Sequence, residues 1–137
     1  MKSITIIFML ILALSGISNG QTPDSLKFKS LPPIEFEIQY SKCQKGILID
    51  VREFFEFKKI RIKNAINMPS SGNLQHLSDT ISKTNSLFFY CTSGFRSKRV
   101  AKFFYEKGFT NLYSLDGGIV AWRKEKLPVD RKKVRRK

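Results

Sequence analysis

Apolar positions in this chain fall into two kinds of block. Ile47 to Val51, Ala65 to Met68, Ser86 to Tyr90 and Leu112 to Leu115 are short runs, apolar or nearly so throughout. Runs of this length without alternation read as strands buried on both faces, which belong to parallel sheets. Between them the apolar residues are spaced three or four apart. Ile34 to Lys42 reads as a short helix with Ile34 and Ile38, and Phe36 as a third, facing inward. Glu53 to Lys59 reads as another, with Phe54 and Phe57 inward. Leu74 to Ser82, capped by Ser71 or Asn73, places Leu74, Leu77 and Ile81 on one side. Arg96 to Lys107 carries a stripe of Val100, Phe103 and Phe104 and closes at Gly108. A last helix follows Asp116-Gly117-Gly118 and carries Ile119 and Trp122. Strands alternating with helices predict an α/β fold of βαβ units, with ligands bound outside the carboxyl ends of the strands.

The two ends follow other rules. Lys2, the apolar run Ile4 to Leu14 and the small residues Ser18 and Gly20 give residues 1–20 the layout of a secretory signal peptide cleaved before Gln21. The run is too short for a membrane-spanning helix, so no stable membrane anchor is expected after cleavage. Residues 21–33 are polar with three prolines and read as an extended lead-in. The folded domain is expected over 34–129, ended by Pro128. Residues 130–137 hold six basic side chains and read as a disordered tail.

Composition limits the choices further. A chain of 137 residues suits one domain. The formal charge of +14 favours anionic partners, although nucleic acid is not expected for an exported chain. Two cysteines, Cys43 and Cys91, cannot make a disulfide framework. Cys43 precedes one strand and Cys91 follows another, about a strand length apart, so no bond between them is expected. The single histidine, His76, falls on a helix without clustered ligand types, and reads as structural.

The chemistry concentrates in Cys91-Thr92-Ser93-Gly94-Phe95-Arg96-Ser97, where a buried strand ends in a cysteine and a helix begins at once. A thiolate there is stabilised by first-turn N–H groups and the helix dipole. A loop around Gly94 can turn its N–H groups toward one anion. A buried cysteine can also be plain packing, but the glycine, the arginine and the immediate helix together favour a nucleophile. From Cys91 to Arg96 there are four intervening residues, one fewer than the C-x5-R of cysteine phosphatases, and Ser97 stands where their arginine would be. The tighter loop favours a sulfane sulfur over a phosphoryl group.

With Leu48-Ile49-Asp50-Val51-Arg52-Glu53, Ala65-Ile66-Asn67-Met68-Pro69 and Gly108 to Tyr113 leading into Asp116 to Trp122, this loop resembles the single-domain rhodaneses over residues 31 to 129. The resemblance implies a central, mostly parallel five-stranded sheet flanked by helices on both faces. It implies a sulfurtransferase in which Cys91 becomes a persulfide. Donor and persulfide would be cradled by the N–H groups of Thr92, Ser93, Gly94, Phe95, Arg96 and Ser97, with Arg96 adding charge. Asp50 and Arg52 would brace the loop as an ion pair or touch substrate. No cofactor or metal is implied. The partners are a small anionic sulfur donor and a thiol or cyanide acceptor, with a redox or sulfur-accepting protein as a further partner. A leader on such a domain suggests the bacterial periplasm. The match departs at Ile60-Arg61-Ile62, where the family often has Gly-His-Ile, and at Thr92, where it often has a basic residue. A non-catalytic binding module and a phosphatase or arsenate reductase remain as competing classes.

Overall fold

The structure, a computed structural model, describes residues 20–134. The expected leader therefore lies outside the described residues except for Gly20, as do the last three residues of the basic tail. In chain order the elements are α1 (Asp24–Lys27), β1 (Lys29–Leu31), α2 (Pro33–Lys42), β2 (Gly46–Asp50), α3 (Phe54–Lys59), β3 (Arg61–Ile62) and β4 (Ile66–Asn67). Then come α4 (Ser71–Thr80), β5 (Ser86–Tyr90), α5 (Phe95–Glu106), β6 (Leu112–Leu115), α6 (Gly118–Lys124) and β7 (Val129–Asp130).

Five strands form one sheet in the order β1-β6-β5-β2-β4, and every pairing in it is parallel. Because side chains alternate along a strand, β5 divides its residues between two cores. Leu87 and Phe89, followed by Cys91, face a core with Leu74 and Leu77 of α4 and Ala101 and Phe104 of α5. Phe88 and Tyr90 face the other, with Phe36 of α2 and Ile119 and Trp122 of α6. This double burial is why β5 has no polar position between Leu87 and Tyr90, all four being fully buried. The sheet thus has helices on both faces, as expected.

Several expectations need correction. The lead-in is ordered from Asp24 onward and supplies the fifth strand: β1 pairs with β6, Leu31 opposite Leu115, and Phe28 is buried beside α5. Three residues at a sheet edge, two of them exposed, carry no periodic signal. In α2 the inward residues are Pro33, Phe36 and Tyr40, while Ile34 and Ile38 are exposed. Aromatic contact decides the face, since the Phe36 ring meets Phe88 edge-on at 5.5 Å and Trp122 at 6.4 Å. The cap of α4 is Ser70, whose hydroxyl accepts from the Asn73 amide at 3.2 Å.

The domain also runs past Pro128. β7 pairs antiparallel with β3, and Arg61 donates to Asp130 at 2.8 Å and to the Lys132 carbonyl at 3.1 Å. The start of the expected tail is therefore part of the fold, held by a charge that the sequence places 69 residues away. Among the described residues no helix is long and apolar enough to cross a membrane.

Candidate active site

Cys91 follows the last residue of β5, and its side chain is almost wholly buried. α5 begins at Phe95, with Gly94 as its cap. The Gly94 amide points back at Cys91 Sγ, 3.1 Å away. Ser97 Oγ lies 3.7 Å from the sulfur, bonds to the Gly94 carbonyl at 3.1 Å, and receives a 3.0 Å hydrogen bond from Ser114 Oγ. Ser97 and Ser114 are both fully buried, so this file of hydroxyls is sealed from water. Burial by itself would raise the Cys91 pKa. The amide and hydroxyl of Ser97 and the amides of Gly94 and Ser93 outweigh it and hold the thiol below its usual range.

The loop's shape depends on the turn that follows β6. The amide of Ile119 donates to the Cys91 carbonyl at 2.9 Å, and that of Val120 to the Thr92 carbonyl at 3.2 Å. These are first-turn amides of α6, which have no partner within their own helix. The carbonyls of Cys91 and Thr92 thus cap α6, and turning them outward leaves the loop amides to face the sulfur. Gly118 makes this approach feasible. Its φ is +60°, and a Cβ there would come closer than 3.0 Å to the carbonyl oxygens of Cys91 and Thr92.

On the opposite flank stands Glu56 of α3. Its Oε2 accepts from the Glu53 amide at 3.2 Å, closing the start of α3. Its Oε1 accepts from Thr92 Oγ1 at 3.0 Å. Arg96, half-exposed, reaches the same carboxylate at 3.5 Å. Partial burial raises the Glu56 pKa, but the Thr92 hydroxyl, the Glu53 amide and the Arg96 charge together bring it below the usual value.

Of the residues expected at the site, Ser93, Gly94 and Ser97 gather against Sγ, while Thr92 and Arg96 engage Glu56. The Phe95 side chain is 71% exposed and turned to solvent. Asp50 and Arg52 form a buried ion pair at 2.7 Å on the neighbouring strand end, and Arg52 also donates to the Ile60 carbonyl at 2.6 Å. The Arg52 guanidinium donates to Asp50 and to the Ile60 carbonyl, while its own carbonyl accepts from Asn67 Nδ2 at 2.7 Å, so it fixes the end of α3 rather than touching the loop directly. The Tyr90 phenol stacks near this pair; burial first, then the Asp50 charge, raises its pKa.

Three contributors escaped the sequence reading. Glu56 acts on residues 36 and 40 positions away; the only local signal is the Glu53-x-x-Glu56 spacing of a helix start. Ser114 is a polar residue inside an apolar strand, a visible irregularity without a visible partner. The α6 amides belong to no side chain at all. His76 is exposed on α4. Both cysteines are free thiols, Cys43 partly buried. Among the described residues no group of three or more His, Cys, Asp or Glu is placed to hold a metal ion.

A buried, pKa-lowered thiolate facing several amides, with a cation at the mouth, can attack an electrophilic centre carried by a small anion. Comparison with known proteins narrows this chemistry. The family model of the rhodanese-like domain matches residues 37–125. The uncharacterized protein YqhL of Bacillus subtilis is 37% identical over 94 residues, covering 69% of this chain and 71% of that protein. The thiosulfate sulfurtransferase GlpE of Coxiella burnetii is 34% identical over 77 residues, covering 56% and 71%. Rhodanese-like domain-containing protein 17 of Arabidopsis thaliana is 33% identical over 94 residues, 59% of this chain, which spans only 60% of that protein's length. A crystal structure of a Bacillus halodurans protein superposes with a TM-score of 0.64 at 27% identity, covering 74% of this chain and 76% of that one.

Proposed function

The chain belongs to the rhodanese-like domain family, and on that premise we propose that it is a sulfurtransferase working through a persulfide on Cys91. The observation that carries the reading is the Gly94 amide aimed at Cys91 Sγ from 3.1 Å, within a loop that lowers the thiol pKa. The likeness to GlpE, a thiosulfate sulfurtransferase, supports thiosulfate as a donor of the right class.

In the first half-reaction the Cys91 thiolate attacks the outer sulfur of thiosulfate. A bond forms between Sγ and that sulfur, the bond to the sulfonate sulfur breaks, and sulfite leaves with the electron pair. The terminal sulfur of the persulfide then carries the negative charge. Amides of Thr92 to Ser97 cradle it, and Arg96 offsets the charge of the incoming donor. In the second half-reaction an acceptor such as cyanide or a thiolate takes the terminal sulfur, and the electron pair returns to Sγ. The cycle is ping-pong nucleophilic catalysis. It needs no external redox partner. Asp50 and Arg52 act as positioning residues through α3. A cellular thiol or a sulfur-accepting protein is the natural acceptor, and the leader-like residues 1–20 support exported, periplasmic action.

The test is thiocyanate release from thiosulfate and cyanide by the purified chain and by Cys91→Ser. Release abolished in the variant is the expected result. Equal release from both proteins, or none from the native chain with turnover of an aryl phosphate instead, would overturn the proposal. Export is checked by fractionating expressing cells: an uncleaved, cytoplasmic product would contradict it.

A further inference from the structure

One concavity beside the catalytic loop enters the half-reactions above only through Arg96. It is a cleft of about 330 Å³ between α4 and the first turns of α5. Val51, Leu74, Val100 and Phe103 wall it, and Arg96 and Arg99 supply its two cations. Its Val51 and Leu74 belong to the same buried cluster as Cys91, and the Val51 amide donates to the carbonyl of Tyr90, the residue before Cys91, at 3.0 Å. Its mouth shares Arg96 with the catalytic loop.

The two arginines are not equivalent. Arg96 is engaged with Glu56 at 3.5 Å. Arg99 lies one turn further along α5, is exposed, and joins none of the ion pairs of the described residues. An apolar cleft with a free guanidinium at its rim suits an ion that is apolar along its body and anionic at one end. Thiosulfate does not meet that description. It is small, charged throughout and suited to the amides around Sγ. The cleft volume instead falls at the lower end of the roughly 300–1,000 Å³ common for small-molecule sites.

We propose that this cleft is the acceptor subsite, and that it selects a thiol carrying a carboxylate or sulfonate on an aromatic-sized apolar body. The proposal rests on the sulfur-transfer reading. Arg99 binds the anionic end and Phe103 packs against the body, which brings the thiol to the persulfide from the α4 side. The acceptor thiolate attacks the terminal persulfide sulfur and forms a new S–S bond. The bond between that sulfur and Cys91 Sγ breaks, and its electron pair restores the Cys91 thiolate. The acceptor departs as a persulfide, and no oxidant or reductant is consumed.

Two probes separate binding from turnover. Phenylacetate, which has no thiol, is titrated calorimetrically into the full chain and into Arg99→Ala and Arg99→Lys. 4-Mercaptophenylacetate is used as acceptor with thiosulfate as donor, beside the cyanide assay. Expected is phenylacetate binding that weakens about tenfold in Arg99→Ala and recovers in Arg99→Lys, as for loss and return of one charge-assisted contact. The KM for 4-mercaptophenylacetate should rise in parallel, while the thiosulfate–cyanide rate stays unchanged. No phenylacetate binding, or binding indifferent to Arg99, overturns the cleft assignment even if thiocyanate forms normally. Arg99-dependent binding in a protein that forms no persulfide overturns the acceptor role and the sulfur-transfer reading together.

Discussion

Replacing Gly118 by alanine tests the docking of α6 on the catalytic loop. Two separable effects are expected. The first is conformational: a residue with a Cβ held at φ +60° costs about 1–2 kcal/mol. The second is local. The new methyl would overlap the carbonyl oxygens of Cys91 and Thr92, and one of the two segments must retreat. Retreat breaks the hydrogen bonds from Ile119 and Val120, measured at 2.9 and 3.2 Å. At about 1 kcal/mol net each, they add about 2 kcal/mol. A total near 3 kcal/mol is expected, reduced slightly because alanine also restricts the unfolded chain. Gly108→Ala is the control. Its φ is +91°, but a Cβ there meets nothing within 4 Å, so only the conformational cost applies. Urea unfolding of both variants should show Gly118→Ala less stable by about 2 kcal/mol. The loop should also lose its grip on the sulfur, so the pH midpoint of iodoacetamide alkylation should move up in Gly118→Ala and stay put in Gly108→Ala. Equal stabilities and an unmoved midpoint in both would refute the argument that α6 shapes the loop.

Two further outcomes follow from the contacts. Ser97→Ala removes the hydroxyl beside Cys91 Sγ and leaves the buried Ser114 hydroxyl without its acceptor; the variant should lose about 1–2 kcal/mol of stability, and the ascending limb of its pH–rate profile should shift to higher pH, whereas a limb at the native position would mean the hydroxyl file does not tune the thiol. Asp130→Asn weakens the clasp on Arg61. The Asp130 carboxyl is lowered in the folded chain by the Lys132 amide and then by Arg61, so its stabilisation is present above the ordinary aspartate value of about 4 and lost as pH falls through the lower folded value. The native chain should therefore be the more stable at pH 7, with the gap closing on acidification; a gap that widened in acid would reverse the assignment.

What could be read in advance depended on how local each cause was. β5 and β2 were legible because burial on both faces demands unbroken apolar runs. The loop was legible because cysteine, glycine, arginine and a new helix are adjacent in sequence. The Gly117-Gly118 turn was visible as a turn, but not as a contact with Cys91, since that depends on β5 and β6 lying side by side. β1 was missed for a related reason. Lys29-Ser30-Leu31 becomes a strand through the edge that β6 offers, not through its own composition. The two-residue strands β3 and β7 likewise exist as a pair. In α2 the expected inward face holds for Phe36 but not for Ile34 and Ile38, which match a helical stripe as well as Phe36 and Tyr40 do. Only the shape of the opposing aromatic cluster separates the two choices.

The carboxylate of Glu56 has a consequence for redesign. One oxygen closes the start of α3 and the other holds Thr92. Position 56 therefore cannot be varied to change the charge of the loop without also loosening the helix on which that carboxylate is mounted. Position 92 carries no such double duty. Its hydroxyl donates to Glu56 Oε1 at 3.0 Å, and a lysine or arginine there would find a carboxylate already in place. For anyone seeking to alter donor preference, residue 92 is the adjustable setting and residue 56 the fixed reference against which it is set.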